Sequence, residues 1–129
     1  MPVDSIDDRV SLGERGEDAA ASFLETRGHR VIARRFRTQQ GEIDLISQRG
    51  SHLYFVEVKV RRHHHNEFRY GDGLQAVGPR KQRKIVSVSQ IFIDRNRLHG
   101  LVPHFSVIAI DQHAKAAELH FLPDAFDAT

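Results

Sequence analysis

The stretch GEIDLISQRGSHLYFVEVKVRR, residues 41–62, sets Asp44, Glu57 and Lys59 inside two runs of Ile, Leu, Val and Phe. Both runs have strand composition, and the short turn signal QRGS between them predicts a hairpin with strands over 42–48 and 52–61. Opposed residues of an antiparallel hairpin point to one face, and successive residues alternate faces. With the turn centred on Arg49 and Gly50, Asp44 faces Phe55 and lies diagonal to Glu57; shifted by two residues, it faces Glu57 directly. Either register puts Asp44, Glu57 and Lys59 on one face with Glu42 beside them, and Tyr54, Val56, Val58 and Val60 on the other. Charges in apolar strands need partners, because an unpaired buried charge is costly.

Upstream, Ser11 to Arg27 reads as a helix. Ser11 and Glu14 have capping-box spacing, Gly28 is a C-terminal stop, and Ala20, Ala21, Phe23 and Leu24 form the apolar stripe. Glu17 sits on or beside that stripe, an odd place for an acid that serves only solubility. HRVIARRFR is compatible with a short strand. Residues 80–93 mix helical spacing (Lys81, Ile85, Val88, Phe92) with β-branched content and read as a helix. HFSVIAIDQ and AELHFLP form a closing strand pair around the polar turn DQHAKA.

Length and composition bound the function. A chain of 129 residues fits one domain, with residues 1–10 expected to be flexible. No run is apolar enough to span a membrane, and the acidic, polar start is unlike a secretory signal, so the expected address is the cytoplasm. Zero cysteines exclude disulfides, thiolate nucleophiles and the usual structural zinc sites. No Gly-rich nucleotide loop or Ser-His-Asp pattern stands out. The net charge of +2 conceals a segregation: residues 27–97 hold sixteen basic and six acidic side chains, an excess of +10, between acidic ends. That segment has the footprint of a polyanion-binding surface, nucleic acid before other polyanions. A solvated surface balanced in three dimensions by the acidic ends is the alternative.

Carboxylates converging on one small site repel each other by roughly 4 kcal/mol per pair at about 4 Å and an effective dielectric near 20. Lys59 offsets part of this; a divalent cation with hard oxygen ligands, Mg²⁺ with Mn²⁺ as substitute, would offset more. Metal, carboxylates and lysine together suit phosphodiester hydrolysis, with E-x-K spacing delivering both groups to one side of a strand. E-x-K alone is also what an exposed ion pair looks like. Arg61, Arg62, Arg80, Lys81 and Lys84 are candidate phosphate contacts, with Lys81 on the apolar stripe best placed to reach the site. The consecutive His63, His64 and His65 cannot all face one metal from a regular strand, and read as a strand end or phosphate contacts. The glycine-rich segment around Gly71 to Gly78 could cover bound nucleic acid.

LGERGEDAAASFLETRGHRVIARRFR, GEIDLI, FVEVKVR and RKQRKI together resemble the PD-(D/E)XK nuclease superfamily, and more closely the small bacterial YraN family. The resemblance spans nearly the whole chain. It implies a restriction-endonuclease-like α/β (α+β) core in the order α-β-β-β-α-β, with a mixed central sheet flanked by helices. It implies metal ligands at Asp44 and Glu57, a catalytic lysine at Lys59 and an auxiliary acid at Glu17. The implied activity is metal-dependent hydrolysis of DNA, including branched recombination or repair intermediates. The alternative is a nucleic-acid-binding accessory protein that keeps the fold without useful catalysis. A homodimer would suit a branched substrate, although no apolar helix face is assignable to an interface. Two positions depart from the family pattern: Ser106 stands where an acid is usual, and Arg35, another candidate phosphate contact, stands where asparagine is frequent.

Overall fold

The computed structural model describes residues 8–62, 77–112 and 116–128. Five strands and two helices follow in the order α1 (Asp8–Thr26), β1 (Arg30–Thr38), β2 (Gly41–Arg49), β3 (His52–Arg62), α2 (Pro79–Asn96), β4 (Val102–Gln112) and β5 (Ala117–Phe126). The sheet keeps sequence order, β1-β2-β3-β4-β5. All neighbours are antiparallel except β3 and β4, which run parallel and are joined through α2. The expected mixed sheet and element order are therefore present, extended at one edge by β5.

Both sheet faces are covered, and β3 shows why. Leu53 and Phe55 enter a core with Ile85, Val88, Phe92 and Ile93 of α2. Tyr54 and Val56, alternating with them, enter a second core with Ala20, Ala21 and Leu24 of α1. A strand buried on both sides needs apolar residues at nearly every position, so a charge at position 57 is conspicuous.

The C-terminal stop of α1 follows the sequence signal, whereas two other helix bounds differ from expectation. After α1, Gly28 (φ 86°) takes the left-handed position. Its N–H donates to the Glu25 carbonyl at 3.1 Å and that of His29 to Leu24 at 3.0 Å, the paired bonds of a Schellman stop. The helix starts at Asp8, before the expected Ser11, so Ser11 lies within the helix and is not its cap. Likewise α2 runs to Asn96, past the expected end at residue 93.

The β2–β3 turn decides between the two registers. Arg49 pairs with His52 and Leu45 with Val56, so the loop is Gly50–Ser51. Gly50 (φ 61°) supplies the positive dihedral that a two-residue hairpin loop needs, which Arg49 would adopt only with strain. The ladder therefore shifts by two residues, and its continuation sets Asp44 opposite Glu57.

A polar seam on the α1 side ties β3, β4 and β5 together. Tyr54 stacks on His104 with centroids 4.6 Å apart. His104 reaches Asp124 through Nδ1 (2.6 Å) and His52 through Nε2 (2.8 Å). Ser106 belongs to this face, since it pairs with Val56 while Glu57 pairs with Val107. Its hydroxyl donates to the Pro123 carbonyl at 2.6 Å, beside the bulge between Phe105 and Val107. The departure at 106 thus serves the sheet edge, on the face opposite Glu57. Residues 63–76, including His63 to His65 and most of the glycine-rich segment, lie outside the described residues, as do residues 1–7 and 113–115.

Gly16 fixes the approach of α1 to the sheet, because a Cβ there would overlap the Val60 side chain. Gly→Ala within a helix ordinarily stabilises by about 1 kcal/mol. Here Gly16→Ala should instead destabilise, by about 1–2 kcal/mol in urea unfolding, and Val60→Ala in the same chain should recover most of the loss. A stabilising Gly16→Ala would contradict this contact.

Candidate functional site

Glu57 is the centre of the site. It is only 7% exposed, on the middle strand of the sheet. Its carboxylate accepts a very short hydrogen bond from Lys81 Nζ, which reaches down from the first turn of α2. Lys59 Nζ lies 3.7 Å from the same oxygen, Oε2. One buried carboxylate therefore shares two ammonium groups, one from its own strand and one from a helix.

Asp44 faces it from β2. Its Oδ2 accepts the Val58 N–H at 2.8 Å, which pins the carboxyl to the neighbouring strand. Burial first, and then the Glu57 charge, push its pKa up to about 7, against the stabilising Val58 hydrogen bond; the Glu17 charge adds to the rise. A carboxyl whose pKa is raised this far, by burial first and by facing acids second, is typical of functional sites. Burial and the adjacent Lys81 charge lower the Lys59 pKa. For Lys81, burial acts in the same downward sense, but the hydrogen bond and charge of Glu57 outweigh it and the pKa is raised.

Glu17, from α1, completes the acidic group and binds Arg35 Nε at 2.9 Å. Arg35 lies between the pairs Arg34–Leu45 and Phe36–Ile43, so Asp44 is its cross-strand neighbour. Its backbone is left-handed, φ 51°. Along β2 the face alternation breaks at the same level, for Ile43 and Ile46 both join the α2-side core although three residues apart. Irregular backbone beside a cluster of charges is where sheets commonly re-aim side chains. A left-handed backbone at a non-glycine residue is uncommon, so Arg35 is held there by its surroundings.

The structure therefore brings together Glu17, Asp44, Glu57, Lys59, Lys81 and Arg35. Arg80 and Lys84 stay exposed on the first turns of α2, Arg61 is half-buried, and the Arg62 side chain is outside the described residues. Glu42, expected beside the acids, instead binds Arg37 across the β1–β2 pair at 2.6 Å. Sequence reasoning placed Arg35 on nucleic acid and missed its pairing with Glu17. The eighteen-residue separation carries no pattern, and only the helix-to-strand packing reveals the contact.

The acids suit a metal of restricted kind. Among the described residues no group of three or more His, Cys, Asp or Glu side chains could hold an ion. Two facing hard carboxylates match Mg²⁺, which is commonly held by one or two carboxylates and keeps several waters. Asp44 and Glu57 would be those ligands.

The model described as "Uncharacterised protein family UPF0102" matches residues 16–110. A UPF0102 protein of Syntrophotalea carbinolica is 40% identical over 119 residues, covering 92% of this chain and 94% of the relative. The chain belongs to the UPF0102 family. Another UPF0102 protein, from Symbiobacterium thermophilum, is 48% identical over 100 residues, covering 78% of this chain and 81% of its own. This is the family that the motifs resemble under the name YraN, and PD-(D/E)XK membership is consistent with it. The UPF0102 match begins at Gly16, takes in every member of the charge cluster and ends within β4, before β5. Among the described residues no helix is long and apolar enough to cross a membrane.

The raised Asp44 pKa has a stability consequence. The folded state binds a proton that the unfolded chain, with a pKa near 3.8, gives up. The Asp44 contribution is therefore most favourable below that value and declines as pH rises toward about 7. Asp44→Asn, which can still accept the Val58 N–H, should stabilise the metal-free protein at pH above 7 by at least about 1 kcal/mol. Urea unfolding of both proteins at several pH values checks this; an Asn variant no more stable than wild type at high pH would contradict it.

Proposed function

We propose that this UPF0102 protein is a Mg²⁺-dependent nuclease that hydrolyses phosphodiester bonds in DNA, with branched recombination or repair intermediates as the favoured substrates. The observation that carries the reading is the facing pair Asp44 and Glu57 with Lys59 beside them, where burial and the Glu57 charge raise the Asp44 pKa to about 7. Bound Mg²⁺ would stabilise charge on the phosphate and lower the pKa of a water. Asp44 and Glu57 hold the ion, the former oriented by the Val58 N–H. Lys59, with its pKa lowered, is suited to orient the attacking water, accept its proton and stabilise the developing negative charge. Glu17 and Arg35 hold each other at the rim, where Glu17 tunes Asp44. Arg61 and the basic first turns of α2 supply phosphate contacts on either side. Such an enzyme would work in the cytoplasm, an address compatible with a chain that has no cysteine.

A nucleic-acid-binding role without turnover has one specific observation in its favour: Glu57 is already satisfied by two lysines. Cleavage assays on duplex, single-stranded and four-way-junction DNA separate the two. The nuclease reading expects Mg²⁺- or Mn²⁺-dependent cleavage that falls by about 10²–10³-fold or more in Glu57→Gln and in Lys59→Ala, with DNA still bound. Salt-sensitive DNA binding without cleavage, unchanged in Glu57→Gln, would favour the accessory role.

A further inference from the structure

The start of α2 breaks a local rule. A helix N-terminus carries roughly half a positive charge and favours acids in its first turn. Here Pro79 is followed by Arg80, Lys81, Arg83 and Lys84, no acid lies in the first turn, and Gly78 provides no side-chain cap. Cations against a positive helix end are unfavourable, and a bound polyanion would relieve that cost for the exposed ones. Three of them, Arg80, Arg83 and Lys84, are exposed. Lys81 alone turns inward, onto Glu57, with 41% of its side chain still accessible.

The charge cluster is already closed. Glu17 has Arg35, Glu57 has Lys81 and Lys59, and the hydrogen bond to Val58 holds Asp44. A divalent cation entering beside Glu57 would meet two ammonium groups on the oxygen it needs. Lys59 is fixed on the same strand, two residues from Glu57. Lys81 has the same four-carbon stem but extends from α2, next to exposed Arg80 and with more of its side chain accessible than Lys59 has, so it is the one with room to leave. Its nearest alternative environment is the exposed basic turn from which it extends, where a nucleic-acid phosphate would sit.

We propose that Lys81 is a tethered counter-cation that closes the Glu57 site in the free protein and swings to the nucleic-acid backbone when DNA binds, so that DNA and divalent cation bind with positive coupling. The proposal rests on the metal site of the preceding section and adds a regulation to it. A metal-dependent hydrolase gated in this way stays closed to free divalent ions and is completed only on its polyanionic substrate. Linkage requires the effect to be mutual: DNA tightens the metal by the same factor by which the metal tightens DNA.

Calorimetric titration of Mn²⁺ at fixed pH tests this on the full chain, without cleavage as readout. Wild type, Lys81→Met and Lys81→Gln are each titrated alone and with a phosphorothioate DNA duplex. Both variants should bind Mn²⁺ about tenfold more tightly than wild type in the absence of DNA, within the usual range of coupling. The duplex should tighten Mn²⁺ by a similar factor in wild type and hardly at all in the variants. Lys81→Gln retains a hydrogen-bond donor for Glu57, so agreement between the variants assigns the effect to charge. If wild type binds Mn²⁺ but the variants bind it no better, or the duplex effect survives in them, the counter-cation role is overturned while the metal site stands. If no protein binds Mn²⁺ with or without duplex, the metal site itself fails and the proposal fails with it.

Discussion

The burial of Glu57 on the central strand is the constraint around which the other charges are arranged. A carboxylate that is 7% exposed, flanked along β3 by residues feeding two apolar cores, must be compensated within reach of its own oxygens. The compensation comes from Lys59, carried on the same side by E-x-K spacing, and from Lys81, brought down by the seating of α2 on the sheet. Asp44, buried and then facing the Glu57 charge, holds its proton to near neutrality. Glu17 and Arg35 form the outer ion pair, linking α1 to β1. Replacing this arrangement with apolar residues would give a simpler core, so its presence on the best-buried strand is more economically explained by chemistry than by stability.

Much of this could be read from the residues. Alternation along LYFVEVKV gives the two faces of β3, and Gly28 gives the end of α1, because each depends on short-range physics. The helical stripe at Lys81, Ile85, Val88 and Phe92 placed Lys81 correctly toward the interior, since a residue one turn ahead of an apolar stripe shares its face. The register of the hairpin was not decided by composition. Gly50 can occupy several turn positions, and the choice of Gly50–Ser51 over Arg49–Gly50 moves Asp44 from a diagonal to a direct position opposite Glu57.

What sequence could not show depends on contacts between distant segments or on backbone dihedrals. The Glu17–Arg35 pair spans a helix and an edge strand, and the left-handed backbone of Arg35 leaves no mark in a residue type that ordinarily avoids it. The hydroxyl of Ser106 could be judged only against an expected acid; in the fold it secures Pro123 on the face away from the charges. The histidine seam through His52, His104 and Asp124 was equally hidden, because its members come from three strands and no spacing connects them. UPF0102 membership adds an independent frame: the matched segment contains the whole charge cluster and stops short of β5, so the site belongs to the shared part of the fold.

Asp44 and Glu57 are the proposed ligands of a divalent cation. A crystal of the protein with a short DNA duplex, grown or soaked with Mn²⁺ and measured for anomalous scattering, tests this assignment most directly. The expected result is an anomalous peak between the two carboxylates, with Lys59 beside it and Lys81 turned toward a phosphate. A map with no peak there, Lys81 still on Glu57 and DNA bound elsewhere would contradict the assignment.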